Sequence, residues 1–214
     1  QLLNVLPFNN TVVLAEVSGQ TILDMMEMAM SVWPEENGAF PHISGITFSV
    51  NTAIPSSVVL NEYEEFAGVS GEYRVYDVKI YNEETETYEP MDLEATYTMS
   101  ASNFYLLECG SGMKMLEDVV VLQDNGLVDV EALERYIVEE LDGVVGQEYA
   151  EVKSNITFTE GRPKGNSDRN DQEDQENNTQ AEIQTDKQKA PQIIIWLAIL
   201  LPKQGRPCRR RWMI

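Results

Sequence analysis

Val12-Val13-Leu14-Ala15-Glu16-Val17, then Ser18-Gly19, then Gln20 to Met30: within this stretch the chain changes its hydrophobic period. The first six residues form a short apolar run with β-branched bias, which predicts a strand. Ser18-Gly19 punctuates it. Ile22, Leu23, Met25, Met26, Ala29 and Met30 then recur at helical spacing. They predict an amphipathic helix of about three to four turns, with Asp24 and Glu27 on its other face. The helix is expected to end near Trp33-Pro34, because proline disfavours helix in the residue before it.

Further strands follow from alternation. Ile46, Phe48 and Val50 alternate with Thr47, Ser49 and Asn51, and Tyr76, Val78 and Ile80 alternate with charged or polar neighbours. Both patterns predict half-buried strands. Residues 95–101 and 153–159 read as two more, and Val58-Val59-Leu60 as a short one within a mixed stretch at 52–71. Residues 82–90 read as an acidic turn. Cys109-Gly110-Ser111-Gly112 is a glycine loop feeding the helix-like Met113 to Glu117. Asp129 is read as the N-cap of a second long helix. Leu133, Ile137 and Leu141 form its stripe, and Gly143 is placed to stop it. The expected fold class is α+β, with an α/β-type mixed sheet and packed helices, in a single domain over residues 1–160 followed by a disordered tail. A length of 160 suits one domain with a sizeable core.

Charge narrows the function. The 214 residues carry 36 acidic and 15 basic side chains, a net charge of −21. Residues 1–160 hold 29 acids and 5 bases, net −24, whereas residues 161–214 hold 7 acids and 10 bases. A nucleic-acid binder that works by neutralising phosphates needs a basic face, so that class is excluded. Adhesion of the first 160 residues to anionic lipid is disfavoured on the same ground. The two cysteines, Cys109 and Cys208, offer neither a disulfide framework nor a zinc spacing. His42 is the sole histidine, so a Ser-His-Asp or Cys-His triad would have to be built on it.

The chain opens Gln-Leu-Leu-Asn, with neither Met nor a basic leader, and no signal peptide is read there. Val5-Leu6-Pro7-Phe8 already looks like the middle of a domain, so the chain is read as a piece of something longer. After Gly161 the composition shifts. Residues 161–192 are almost devoid of apolar side chains and cannot offset their ordering entropy, which predicts a disordered linker. Residues 193–214 begin with nine apolar residues, Ile193 to Leu201, and end in a basic tail. A bilayer-spanning helix needs about 20 apolar residues. A truncated or frame-shifted membrane anchor is one reading, and a disordered tail with an aggregation-prone patch is the other.

Three segments together carry a family resemblance. They are Val5-Leu6-Pro7-Phe8-Asn9-Asn10-Thr11 with the strand and the Ser18-Gly19 helix start, Gly38-Ala39-Phe40-Pro41-His42-Ile43-Ser44-Gly45 leading into Ile46, and Ala95 to Phe104 followed by the glycine loop. In this order they resemble the carboxyl-terminal domain of the 5′-nucleotidase family. The resemblance implies a surface or secreted hydrolase of two domains. An amino-terminal metallophosphoesterase domain, absent from these residues, would carry two divalent metal ions, and this chain would carry no cofactor. The domain present would bind the nucleoside part of a nucleotide.

The resemblance also places the base between two rings, here Phe8 and Phe104, and implies substrate contacts at Asn10 and Ser111. Stacking of a base on aromatic side chains contributes about 1–3 kcal/mol and tolerates different bases. The family's loop reads Gly-Gly-Asp-Gly. Ser111 stands at the Asp position, and one extra residue separates Phe104 from the loop. A serine bonds a ribose hydroxyl without charge assistance, hence more weakly. No catalytic residue and no metal ligand is expected in this chain. The expected partners are a nucleotide or nucleoside and the missing domain, with no nucleic acid, and with membrane contact only through the tail. The alternative is a non-catalytic cell-surface interaction module that kept the fold and lost the ligand. His42, the methionines of the first helix and Cys109 are read as structural, Cys109 as a small buried residue.

Overall fold

The computed structural model describes residues 2–150, 154–162 and 193–195. Ten strands are described: β1 (Val12–Ser18), β2 (Ile46–Asn51), β3 (Val58–Leu60), β4 (Phe66–Val69), β5 (Val75–Asn82), β6 (Thr87–Pro90), β7 (Thr96–Ser102), β8 (Val120–Gln123), β9 (Ile156–Thr159) and β10 (Ile193–Ile195). Three α-helices accompany them: α1 (Gly19–Ala29), α2 (Asn103–Leu106) and α3 (Asp129–Arg135). The strands form sheets in the orders β10-β7-β1-β8 and β6-β5-β2-β9, plus the pair β3-β4. The second sheet is mixed: β2 runs parallel to β9 and antiparallel to β5. This is the expected α+β class, with the strands divided among three sheets.

The opening stretch folds as its pattern dictates. Ser18 caps α1, its Oγ accepting the Thr21 N–H at 3.0 Å. The first two helical N–H groups, of Gly19 and Gln20, donate to the carbonyls of Ala95 and Leu93. Helix starts leave such donors without partners inside the helix, so these bonds seat α1 on the segment that leads into β7. The helix contacts β1 on one side and β5 on the other, placing it between the two large sheets. One continuous core results, from Val13, Ala15 and Val17 of β1 through Ile22, Met25 and Met26 of α1 to Ile46, Phe48 and Val50 of β2. In the β1–β7 ladder Val17 faces Tyr97, Ala15 faces Met99 and Val13 faces Ala101. All six are buried, so a one-residue slip would turn the entire set away from the core.

Several expectations change. Glu27, assigned to the outer face of α1, is fully buried. Its carboxylate accepts the backbone N–H groups of Arg74 (3.0 Å) and Val75 (2.8 Å) at the start of β5. Arg74 is also buried and donates through Nη1 to the carbonyls of Met30 and Trp33, at 3.2 Å each. Glu27 satisfies two backbone N–H groups at the start of β5, and Arg74 donates to two carbonyls just past α1, so both polar side chains are hydrogen-bonded inside. A helical wheel cannot show this, because the second sheet reaches α1 from a distant part of the chain.

Helix α1 ends at Ala29, ahead of Trp33-Pro34, and turns bridge the gap. The acidic turn at 82–90 closes early enough for Thr87–Pro90 to return as β6 against β5. Strands β4 and β8 have no counterpart in the sequence reading. Asp129 lies inside α3, and Val128 is the capping position. A bridge from Val128 to Thr11 holds that residue extended, and the Asp129 N–H donates to the Asn10 carbonyl at 2.8 Å. The second helix changes to a π turn over Tyr136–Glu140. Gly143 ends it as expected, donating to the Ile137 carbonyl. The linker expectation at 161–192 falls almost wholly outside the described residues, as do Trp196 to Ile214 of the tail. Ile193–Ile195 runs parallel to β7 along its outer edge.

Candidate functional site

The β1–β7 ladder ends at the pair Val12–Ser102. One step beyond it, the Thr11 N–H donates to Asn103 Oδ1 at 2.8 Å, and the Asn103 N–H donates back to the Thr11 carbonyl at 2.9 Å. This reciprocal tie binds the loop that carries Phe8 to the start of α2, which carries Phe104. The two rings, remote in sequence, therefore emerge at the same end of one strand pair. Neither is core: Phe8 is 80% exposed and Phe104 38% exposed. The Phe8 loop is further held from its C-terminal side. The Val12 N–H donates to the Leu127 carbonyl, and the Asn10 carbonyl accepts from Asp129. Asn9 takes a left-handed conformation, φ 53°, which asparagine tolerates better than most residues. Asn10 itself is half-buried.

Phe104 is oriented by two contacts. Tyr105 meets it edge-on, with ring centroids 5.2 Å apart. Gly110 lies against it so closely that a Cβ there would overlap the ring. The glycine loop is thus a backstop for Phe104, and Gly110 is the residue that touches it. Cys109 and Ser111 on either side are both left-handed, at φ 50° and 58°. Two such non-glycine residues around one glycine make a tight, sterically costly turn. Ser111 is exposed and faces a cavity shared with α1 and the β3–β4 connection. The sequence reading named both phenylalanines but gave no role to Asn103, whose side chain ties Thr11, after the Phe8 loop, to the start of α2. An Asn between a strand and a helix is a common capping residue, and nothing local marks it as a cross-chain tie.

The chemistry available here is that of contact and orientation. The Cys109 thiol, half-buried, is pushed above its ordinary range by burial, with Lys114 partly opposing, so it is not poised as a thiolate. Among the described residues no group of three or more His, Cys, Asp or Glu is placed to hold a metal ion. His42 is exposed and sits edge-on to Phe40, at 6.2 Å between centroids.

Sheets around one central helix, with an exposed aromatic end and a glycine backstop, define an α+β domain. The chain belongs to the 5′-nucleotidase family: the family model described as "5′-nucleotidase, C-terminal domain" matches residues 1–118. It is 29% identical over 133 residues to the trifunctional nucleotide phosphoesterase protein YfkN of Bacillus subtilis, covering 61% of this chain and 8% of that protein. It is 26% identical over 136 residues to the protein UshA of Escherichia coli, covering 64% of this chain and 20% of that protein. Among solved structures, the 5′-nucleotidase precursor of Thermus thermophilus superposes with a TM-score of 0.59 at 28% identity, covering 75% of this chain and 27% of that one. The chain therefore spans about a quarter or less of the length of each of these relatives.

Proposed function

We propose that this chain is the nucleoside-binding domain of a 5′-nucleotidase-type metallophosphoesterase, with the base held between Phe8 and Phe104. The observation that carries this reading is the Thr11–Asn103 tie, which brings two solvent-exposed rings to one end of the β1–β7 pair. A base has two π faces, and rings left in water at a fixed edge can cover both. Gly110 and Tyr105 hold Phe104 in place, so less side-chain freedom is lost on binding. Asn10 and Ser111 are assigned to the sugar side. Phosphate chemistry belongs to the domain outside this chain, where two divalent ions would activate water and stabilise the leaving oxygen. The strongly acidic surface suits a domain outside the cell or on its surface. Any membrane attachment would run through the tail. Among the described residues no helix is long and apolar enough to cross a membrane.

Adenosine titration followed by tyrosine fluorescence tests the reading, with Tyr105 beside Phe104 as reporter. Binding with Kd of about 1 mM, a level set by few contacts, and its loss in both Phe8→Ala and Phe104→Ala are expected. A wild-type domain that ignores adenosine favours the alternative, a non-catalytic surface interaction module. The observation behind that alternative is Ser111 in the place of the family's Asp, together with the extra loop residue before it.

A further inference from the structure

The glycine loop has two sides. Gly110 faces Phe104, whereas Cys109, Ser111 and Gly112 line a separate cavity of about 560 Å³. Its other walls come from the end of α1 and the turn after it (Met28, Val32), from the last residue of β3 (Leu60) and from the β3–β4 connection (Tyr63, Glu64, Glu65). The volume lies within the range of small-molecule sites, roughly 300–1,000 Å³. Gly112 is where the two walls meet: a Cβ there would stand 2.7 Å from the Glu64 carbonyl and 3.3 Å from Met28 Cε.

Two independent features of the lining point to one ligand chemistry. The first is apolar surface in water. Val32 is 47% exposed, Leu60 47% and Tyr63 73%, and all three converge on this cavity. The second is one-signed charge. Glu64 and Glu65 are the acidic side chains of the lining, and no Lys, Arg or His is among its described residues. Glu65 Oε2 accepts from the Asn61 amide, a neutral partner that leaves the negative charge in place. The three ion pairs among the described residues include neither Glu64 nor Glu65. Lys114, outside the lining, pairs with Glu117 at 2.6 Å and acts on Glu65 only through space, whereas Glu64 has no such counter-charge among the ion pairs of the described residues. The Asn37 amide is turned inward, bonding Ala29 and Ala39.

The geometry points to a binding site for a small organic cation with an apolar body, an alkylamine or arylalkylamine, behind the glycine loop. The ammonium sits at Glu64 and Glu65, the carbon chain lies on Val32, Leu60 and Met28, and the Tyr63 ring offers a cation–π face. An anionic group, including a nucleotide phosphate, is excluded by the same two carboxylates. The site shares Ser111 with the nucleoside reading, but the residues that would hold the amine, Glu64, Glu65, Val32, Leu60 and Tyr63, are none of those assigned to the nucleoside, so the two are tested separately.

The test is an amide NMR titration of the full chain with n-hexylamine, and with hexanoate and hexanol as matched probes. The expected result is saturable hexylamine shifts at Val32, Leu60, Tyr63 and Gly112 with Kd of about 1 mM, and no saturable shift with hexanoate. Glu64→Gln combined with Glu65→Gln should weaken hexylamine at least about fivefold, whereas Glu83→Gln with Glu84→Gln, a remote acidic pair, should leave it unchanged. An unaltered thermal midpoint in both pairs shows that the fold is kept. The inference is overturned if hexanoate or hexanol binds as well as the amine, if both acidic pairs weaken binding equally, or if no saturable shift appears at these residues.

Discussion

Single side chains decide what the aromatic end can do. Gly110 is the sharpest case, because its backbone lies where any larger residue would displace the Phe104 ring. Gly110→Ala should therefore abolish adenosine binding as fully as Phe104→Ala, at a stability cost of about 1–3 kcal/mol from overpacking. The same fluorescence titration with a urea melt separates the two effects. Glu27 is the corresponding case in the interior. Burial raises its pKa above the ordinary 4.5, with the Arg74 and Val75 N–H groups opposing. A raised folded-state pKa means that the group's contribution to stability is fully present below 4.5 and is lost as pH rises through the folded value. Glu27→Gln lacks that dependence. The stability of the wild type relative to the variant should increase as pH is lowered from 7 toward 4.5, measured by urea midpoints across that window. Glu27→Ala should cost about 2–4 kcal/mol at any of these pH values, since it strands two buried N–H groups beside a buried guanidinium.

At the scale of elements, α1 is the hinge of the architecture, because both large sheets pack on it. Its start depends on the Ser18 cap and on the carbonyls of Leu93 and Ala95. Ser18→Ala removes one of these supports and should lower stability by about 1 kcal/mol, read as a small drop in thermal midpoint without change in fold. The sequence reading identified β1 and β7 from composition and β2 and β5 from alternation, and each of the four buries a side-chain set in the common core. Strands β4, β6 and β8 escaped that reading for a physical reason. They are short, and of their twelve residues only Phe66 is buried. β8 exposes Val120, Val121 and Leu122 together. Such strands exist because a longer neighbour offers them a ladder, and a two-residue period is not imposed on their sequence.

At the scale of the molecule, charge is the governing property. Residues 1–160 carry a net charge of −24, so the domain repels the phosphate end of a nucleotide and is indifferent to the neutral nucleoside. AMP should bind more weakly than adenosine at low ionic strength, with the gap narrowing as salt is raised to about 0.5 M, where the Debye length falls to a few ångströms. Isothermal calorimetry at the two salt levels measures this, and tighter AMP than adenosine binding would contradict it. The purified chain should release no phosphate from AMP with Mg²⁺, Mn²⁺ or Zn²⁺ present, because the ions' expected ligands lie on the other domain. A metal-dependent phosphate signal would overturn that assignment.

The candidate site was legible in part. Phe8, Phe104 and the glycine loop were pointed to by the resemblance of three ordered segments to the 5′-nucleotidase family, and by no local period. What the sequence by itself determined is the α+β class, the principal strands, the helix after Ser18 and the acidic character, each encoded by local period or by composition. What only the tertiary structure decided is which distant groups meet: Asn103 with Thr11, Glu27 with β5, Gly110 with Phe104, and the walls of the cavity behind the glycine loop. Those contacts join residues brought together by sheet pairing and by packing around α1, and no local pattern in a linear sequence records a partner chosen across the core.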